Sequence, residues 1–139
     1  MGKVRQWLAG ILAFGLVGTE VELLLLEHFE DEWQFVPLVL IALALIVLVW
    51  HGLSGSHASV LALRMTMGLF VVAGPVGVAL HYHGAEEFQL EIDATQHGWP
   101  LWLKALRAQA PPVLAPGLMM QFGLLGLAYA YARTDLKGR

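Results

Sequence analysis

Residues 35–53 read FVPLVLIALALIVLVWHGL, a run with no Asp, Glu, Lys or Arg. Nineteen positions of this kind make a helix long enough to cross the hydrocarbon core of a bilayer, which takes about 20 residues at about 1.5 Å each. Pro37 falls in its first turn, where a missing N–H costs nothing. The rest of the chain has the same character. It is 139 residues long and 58% hydrophobic, with a mean hydropathy of +0.65. A soluble domain of this size buries too small a fraction of its surface to hide that much apolar area, so lipid has to cover the remainder.

Working outward, further spanning runs fall at about 5–26, 59–81 and 111–132. Lys3 and Arg5 precede the first run as they would in a signal peptide, but no small-x-small cleavage pattern follows Gly18, so a retained helix is expected. Four spans return both termini to one side. Lys3, Arg5, Arg64, Arg133, Lys137 and Arg139 fall on that side, against only Lys104 and Arg107 on the other. The positive-inside rule then makes both termini cytoplasmic, and the compactness of the chain suggests a bacterial inner membrane. The fold expected is all-α: a polytopic membrane protein, an antiparallel four-transmembrane-helix bundle in a single membrane domain, residues 1–139. The connection 82–110, between the third and fourth spans, forms an extracytoplasmic cap.

Local signals refine this outline. The turn HGLSGSHAS, residues 51–59, is short and rich in Gly and Ser, and Ser56 or Ser59 is placed to cap the third helix. Gly74-Pro75-Val76-Gly77 predicts a kink, read either as a packing notch or as a hinge lining a ligand. In the cap, Phe88, Leu90 and Ile92 alternate with Gln89, Glu91 and Asp93, a period of two that suits a short strand. Beyond it, Trp99, Trp102, Leu103 and Leu106 lie opposite Lys104 and Arg107, as in a brief helix resting in the headgroup plane. The fourth span opens on Pro111, Pro112 and Pro116, and then offers Gly117, Gly123 and Gly126 for close helix approach.

Carboxylates mark the functional end. The first span closes on GTEVELLLLEHFEDEW, residues 18–33. Continued as a helix, Glu20, Glu27 and Asp31 fall on one stripe, since separations of seven and eleven residues are each within about 20° of whole turns. Glu22 points nearly the opposite way. A carboxylate held near hydrocarbon costs about 2.5–3.5 kcal/mol at the bilayer centre and less toward the interface, so it asks for a proton, a cation or a hydrogen-bond partner. Arg64 belongs to the far end of the third span and cannot serve. His81 and His83 emerge level with Glu27 and His28, with His97 on the same side. His28 with Glu32, and His83 with Glu87, have i, i+4 spacing. Imidazoles and carboxylates from two helices are how nitrogen/oxygen sites for Zn²⁺, Mn²⁺ or Fe²⁺ are built. The candidate metal set is therefore Glu20, Glu27, His28, Asp31, His81 and His83.

Several chemistries are excluded or disfavoured. With no cysteine there is no disulfide, thiolate catalysis or Fe–S ligation. No HExxH, paired ExxH or EF-hand pattern occurs, and no basic patch points to nucleic acid. Haem held by His28 and His81 is disfavoured because both lie at the interface. Ser54, Ser56 and Ser59 have histidines nearby but lack the acid of a catalytic triad. The leading expectation is a small integral membrane protein that binds a cation, a divalent metal or a proton, at its outer leaflet for transport or sensing, as a homo-oligomer or with a partner membrane protein. The alternatives are a non-catalytic accessory subunit docking through its acidic cap, and a membrane-embedded metal-dependent enzyme with Glu20 or Glu27 as general base.

Overall fold

The computed structural model describes residues 2–29, 32–107 and 114–131, and these are helical, with no strand among them. The elements are α1 (Lys3–Leu25), a single 3-10 turn at Glu32–Gln34, α2 (Phe35–Ser54), α3 (His57–Ile92), α4 (Gly98–Leu106) and α5 (Leu114–Tyr131). Four of them, α1, α2, α3 and α5, are long and apolar enough to cross a membrane. Helix α1 packs on α2 and α5, and α3 packs on α2, α4 and α5. Leu12, Leu16, Ile41, Ala44, Leu63, Met67 and Phe70 are fully buried between these helices. These four helices also turn large apolar side chains outward, with Phe14 83% and Leu53 85% exposed. Such a surface suits lipid as the surrounding solvent.

Two ends are distinguishable by composition. Arg5, Arg64 and the α2–α3 turn lie at one, the basic end, and the close of α1 with the second half of α3 at the other, the acidic end. The turn at the basic end is built as its sequence suggests. Gly55 adopts φ +55°, the left-handed conformation that ends α2, and the Ser56 hydroxyl accepts from the Ser59 amide to cap α3.

The pairing of α3 with α5 is the tightest in the molecule. A Cβ added at Gly74 would lie 2.9 Å from Met120 Cβ and 3.0 Å from the Pro116 carbonyl oxygen. One at Gly123 would lie 2.8 Å from the Met67 carbonyl oxygen and 2.9 Å from the Val71 amide nitrogen. Gly126 meets the Met67 side chain closely, and Gly77 abuts Pro116. Only glycine lets two helix backbones come this near. The motif around Pro75 thus serves as a packing notch: Gly74 is buried in the seam, while Pro75 is exposed and lies within continuous helix.

Helix α3 does not stop at residue 81 but runs 36 residues to Ile92, about 54 Å at helical rise, far more than a hydrocarbon core of about 30 Å. The predicted strand over residues 88–93 is therefore helix. Its alternation is overruled because Ala85, Glu86, Glu87, Gln89, Leu90 and Glu91 are strong helix formers and α4 packs on α3. Phe88 and Ile92, i and i+4, are left exposed together. Helix α4 forms as expected. Leu101 and Ala105 are buried, whereas Trp99 and Trp102 stack on each other at 4.5 Å and face outward.

Candidate functional site

Glu27 does not sit on a helix. Helix α1 ends at Leu25, and the chain then reverses through a Schellman turn. The His28 amide donates to the Leu23 carbonyl at 3.0 Å, and the Glu27 amide to the Leu24 carbonyl at 3.2 Å. Glu27 occupies the left-handed position of that turn, φ +51°, where glycine is usual, and it is the sole non-glycine residue with positive φ among the described residues. The stripe Glu20–Glu27–Asp31 assumed a helix continuing to residue 31, so the alignment of Glu20 with Glu27 is lost. The reason is electrostatic: Glu27, Glu30, Asp31 and Glu32 would crowd the negative end of the helix dipole and repel one another at helical spacing. Asp31 lies outside the described residues.

The turn carries His28 back against α3. Its ring lies 6.2 Å, centre to centre, from that of His81, and the two planes are within 17° of parallel. Of the six residues read as candidate ligands, these are a pair that the fold brings together from two separate elements. His83 faces elsewhere. Its Nδ1 is 3.6 Å from a Glu86 carboxylate oxygen, one residue earlier than the i+4 partner Glu87, and the Tyr82 hydroxyl donates to the other oxygen of the same carboxylate at 3.4 Å. Glu20 is half-buried in α1, with Oε2 shielded from solvent and without a hydrogen-bond partner, while Glu22 is exposed. Their different surroundings follow from the 200° or so between them. Among the described residues, no three His, Asp or Glu side chains are arranged to hold a metal ion.

Past the histidines, α3 and α4 are joined by a compact turn. The Asp93 carboxylate accepts from the Thr95 amide at 3.0 Å and the Thr95 hydroxyl at 2.7 Å. These bonds hold its pKa below the ordinary carboxylate value.

The basic end holds a polar chain that ties the turn residues His51 and Ser59 to Arg5. An Arg5 Nη atom of α1 lies 3.1 Å from His51 Nε2 of α2, and His51 Nδ1 lies 3.0 Å from Ser59 Oγ of α3. The Ser59 hydroxyl donates to the Ser56 carbonyl at 2.8 Å. His51 is 3% exposed and Ser59 is fully buried. Tyr129 of α5 closes the fourth side: the Arg5 guanidinium carbon sits 4.9 Å above its ring centre, and the His51 ring meets it edge-on at 5.7 Å. Nearby, Arg64 covers Tyr131 at 4.5 Å and donates to the Ala130 carbonyl at 3.5 Å. His51 and Ser59 flank one tight turn, and that spacing is a usable local signal. Arg5 is 46 residues from His51 and leaves none.

No family model, curated protein or solved structure matches this chain.

Proposed function

We propose that this is an integral membrane protein that takes up a cation, a proton or a divalent metal such as Zn²⁺, Mn²⁺ or Fe²⁺, at its acidic end, where the α1–α2 connection meets α3. In this reading α1, α2, α3 and α5 form an antiparallel bundle with both termini cytoplasmic, probing the outer side through His28 and His81. The observation that carries it is the facing pair of imidazoles, 6.2 Å apart, drawn from different elements. Protonation would set two like charges against each other and push the connection off α3, whereas a shared metal would tie the two together. Either event converts cation uptake into a change at a junction of two elements, as transport or sensing demands. Glu20, on the last turns of α1 and with a buried, unpartnered oxygen, would supply the anionic group. A bundle of four spans has little room for a private pathway, so flux would involve a homo-oligomer or a partner membrane protein.

The test is binding of H⁺, Zn²⁺, Mn²⁺, Fe²⁺, Ca²⁺ and Mg²⁺ to purified protein by calorimetry and pH titration, in wild type, His28→Gln and His81→Gln. The expected result is at least one cation whose uptake is lost in both variants. Uptake unchanged by both substitutions, or no uptake at all in folded wild type, refutes the reading.

A second reading, an accessory subunit that docks through an acidic projection, draws on a separate observation. Helix α3 runs eleven residues past His81, to Ile92, and exposes Glu87, Phe88, Glu91 and Ile92 there. A basic, partly apolar partner would complement that surface. Co-purification that survives charge reversal at Glu87 and Glu91 would count against it.

A further inference from the structure

Helix α4 is apolar on two sides. Its inward side is Leu101 and Ala105, both buried where α4 packs on α3. At about 100° per residue, Trp102, Leu106, Trp99 and Leu103 follow one another over an arc of about 100°, centred about 130° from that contact. Trp99 is 65% and Trp102 39% exposed, and their stacked rings make one flat apolar plate. Leu103 and Leu106 beside them are half-buried. The sector left over holds Pro100, Lys104 and Arg107, all exposed. No carboxylate occurs from residue 94 to 107, so these two cations are the whole formal charge of the segment. A helix packed on one face and wet on the other carries its polar residues opposite the contact. Helix α4 carries them on a flank instead.

Its height is set by α3. No Asp, Glu, Lys or Arg occurs in residues 65–85. That stretch is about 32 Å of helix and matches a hydrocarbon core of about 30 Å. Arg64 and Glu86 then fall at the two edges. All of α3 that rises beyond Glu86 ends at Ile92, about 10 Å higher, against a polar headgroup layer of about 5–8 Å on each side. A helix folded back on that stump through the compact Asp93–Thr95 turn stays within reach of the headgroups. Indole suits the layer, with apolar faces and a donor at its edge. Lys and Arg reach lipid phosphate from beside it. The carboxylates of this hairpin, Glu86, Glu87, Glu91 and Asp93, all belong to α3 and its C-cap. Of the cations, Lys104 acts on Asp93, and Arg107 stands exposed at the C-cap of α4.

We propose that α4 is an interfacial anchor: its outward face, Trp99, Trp102, Leu103 and Leu106, docks in the headgroup layer of the bilayer that α3 crosses, with Lys104 and Arg107 on lipid phosphates. The occupant is phospholipid. Helix α3 holds α4 at that layer, and the flank offers cations to its phosphates, whereas a second copy docked by the same face would set those cations against their own kind. The anchor moors the acidic end of α3 at a fixed depth and does not depend on cation uptake at His28 and His81.

The chain has no cysteine, so a single introduced one carries a spin label to a chosen site. Full-length Trp99→Cys, Leu103→Cys and Pro100→Cys are each labelled with a nitroxide and reconstituted in phosphatidylcholine nanodiscs. Electron paramagnetic resonance then reads collisions with oxygen, which concentrates in hydrocarbon, and with a water-soluble nickel chelate. Positions 99 and 103 lie on the docked face and 100, between them, on the flank; Leu103→Cys keeps both tryptophans. The oxygen-to-nickel collision ratio should be about threefold or more higher at 99 and 103 than at 100. A ratio at 99 or 103 no higher than at 100 puts the face in water and overturns the proposal. Few collisions with either reagent at 99 and 103 mean that a second copy covers the face, and overturn it as well.

Discussion

Replacing Glu27 by glycine separates a conformational role from a chemical one. Glu27 holds φ +51° at the left-handed position of the turn that ends α1. An L-residue pays about 1–2 kcal/mol for that conformation. Glycine pays none of it, but brings extra unfolded-state entropy that takes back about 0.5–1 kcal/mol. The Schellman bonds, His28 to Leu23 and Glu27 to Leu24, are backbone to backbone and survive the change. Glu27→Gly should therefore stabilise the protein by about 0.5–1 kcal/mol, up to about fivefold in the folding equilibrium. Glu27→Ala, which keeps the strain and loses the carboxylate, should fall within about 0.5 kcal/mol of wild type. Reversible unfolding in mixed micelles by SDS titration reads both, and the cation titration of the same variants reads the chemistry. If glycine destabilises the protein while alanine costs as much or more, the carboxylate itself carries stability and the strain argument is wrong. If both variants lose cation uptake with stability intact, Glu27 is a ligand in spite of its backbone.

Other outcomes follow from the packing and the turns. Gly123→Ala should cost about 1–3 kcal/mol, because its Cβ would press on the Met67 carbonyl and Val71 amide of a neighbouring backbone that cannot rotate away; Gly68→Ala, with open space at its Cβ, should be neutral or gain up to about 1 kcal/mol in the same unfolding assay. Ser59→Ala removes the hydroxyl that the buried His51 Nδ1 meets at 3.0 Å and should cost about 1–3 kcal/mol by the same SDS titration. The lowered pKa of Asp93 means that the α3–α4 turn is firmest above the unfolded carboxylate value and loosens as pH falls through the folded one. Hydrogen exchange at Thr95, corrected for intrinsic rate, should rise on that descent in wild type and lose that rise in Asp93→Asn.

The four long apolar helices were legible because residues 35–53 and their three counterparts carry the length and hydropathy that crossing a membrane takes. The turn at Gly55 and the Ser56 cap were legible because both are local backbone chemistry. Helix α3 beyond His81 was misread because a period of two in Phe88, Leu90 and Ile92 says nothing of α4, whose packing against α3 overrides it. His28 and His81 could be placed at one level from span lengths alone, but their approach depends on a turn that uses glutamate where glycine is usual, and the sequence shows no mark of it. Arg5 was invisible as a partner of His51, since a contact across 46 residues follows from helix packing and from no spacing rule.

The glycine seam between α3 and α5 divides the molecule mechanically. From Met67 to Gly77 the two helices touch at distances that no Cβ would allow, so they behave as one rod, and a bend at Pro75 would have to carry α5 with it. Helix α1 meets that rod more softly: at Gly15 its neighbour is the Phe122 ring, a side chain that can swing. The compliant joint is thus between α1 and the α3–α5 rod. Both histidine contacts cross it or bear on it, His28 to His81 at one end and Arg5 through His51 to Ser59 at the other. They are cross-ties at opposite ends of one seam, and loosening either would let α1 pivot about the other.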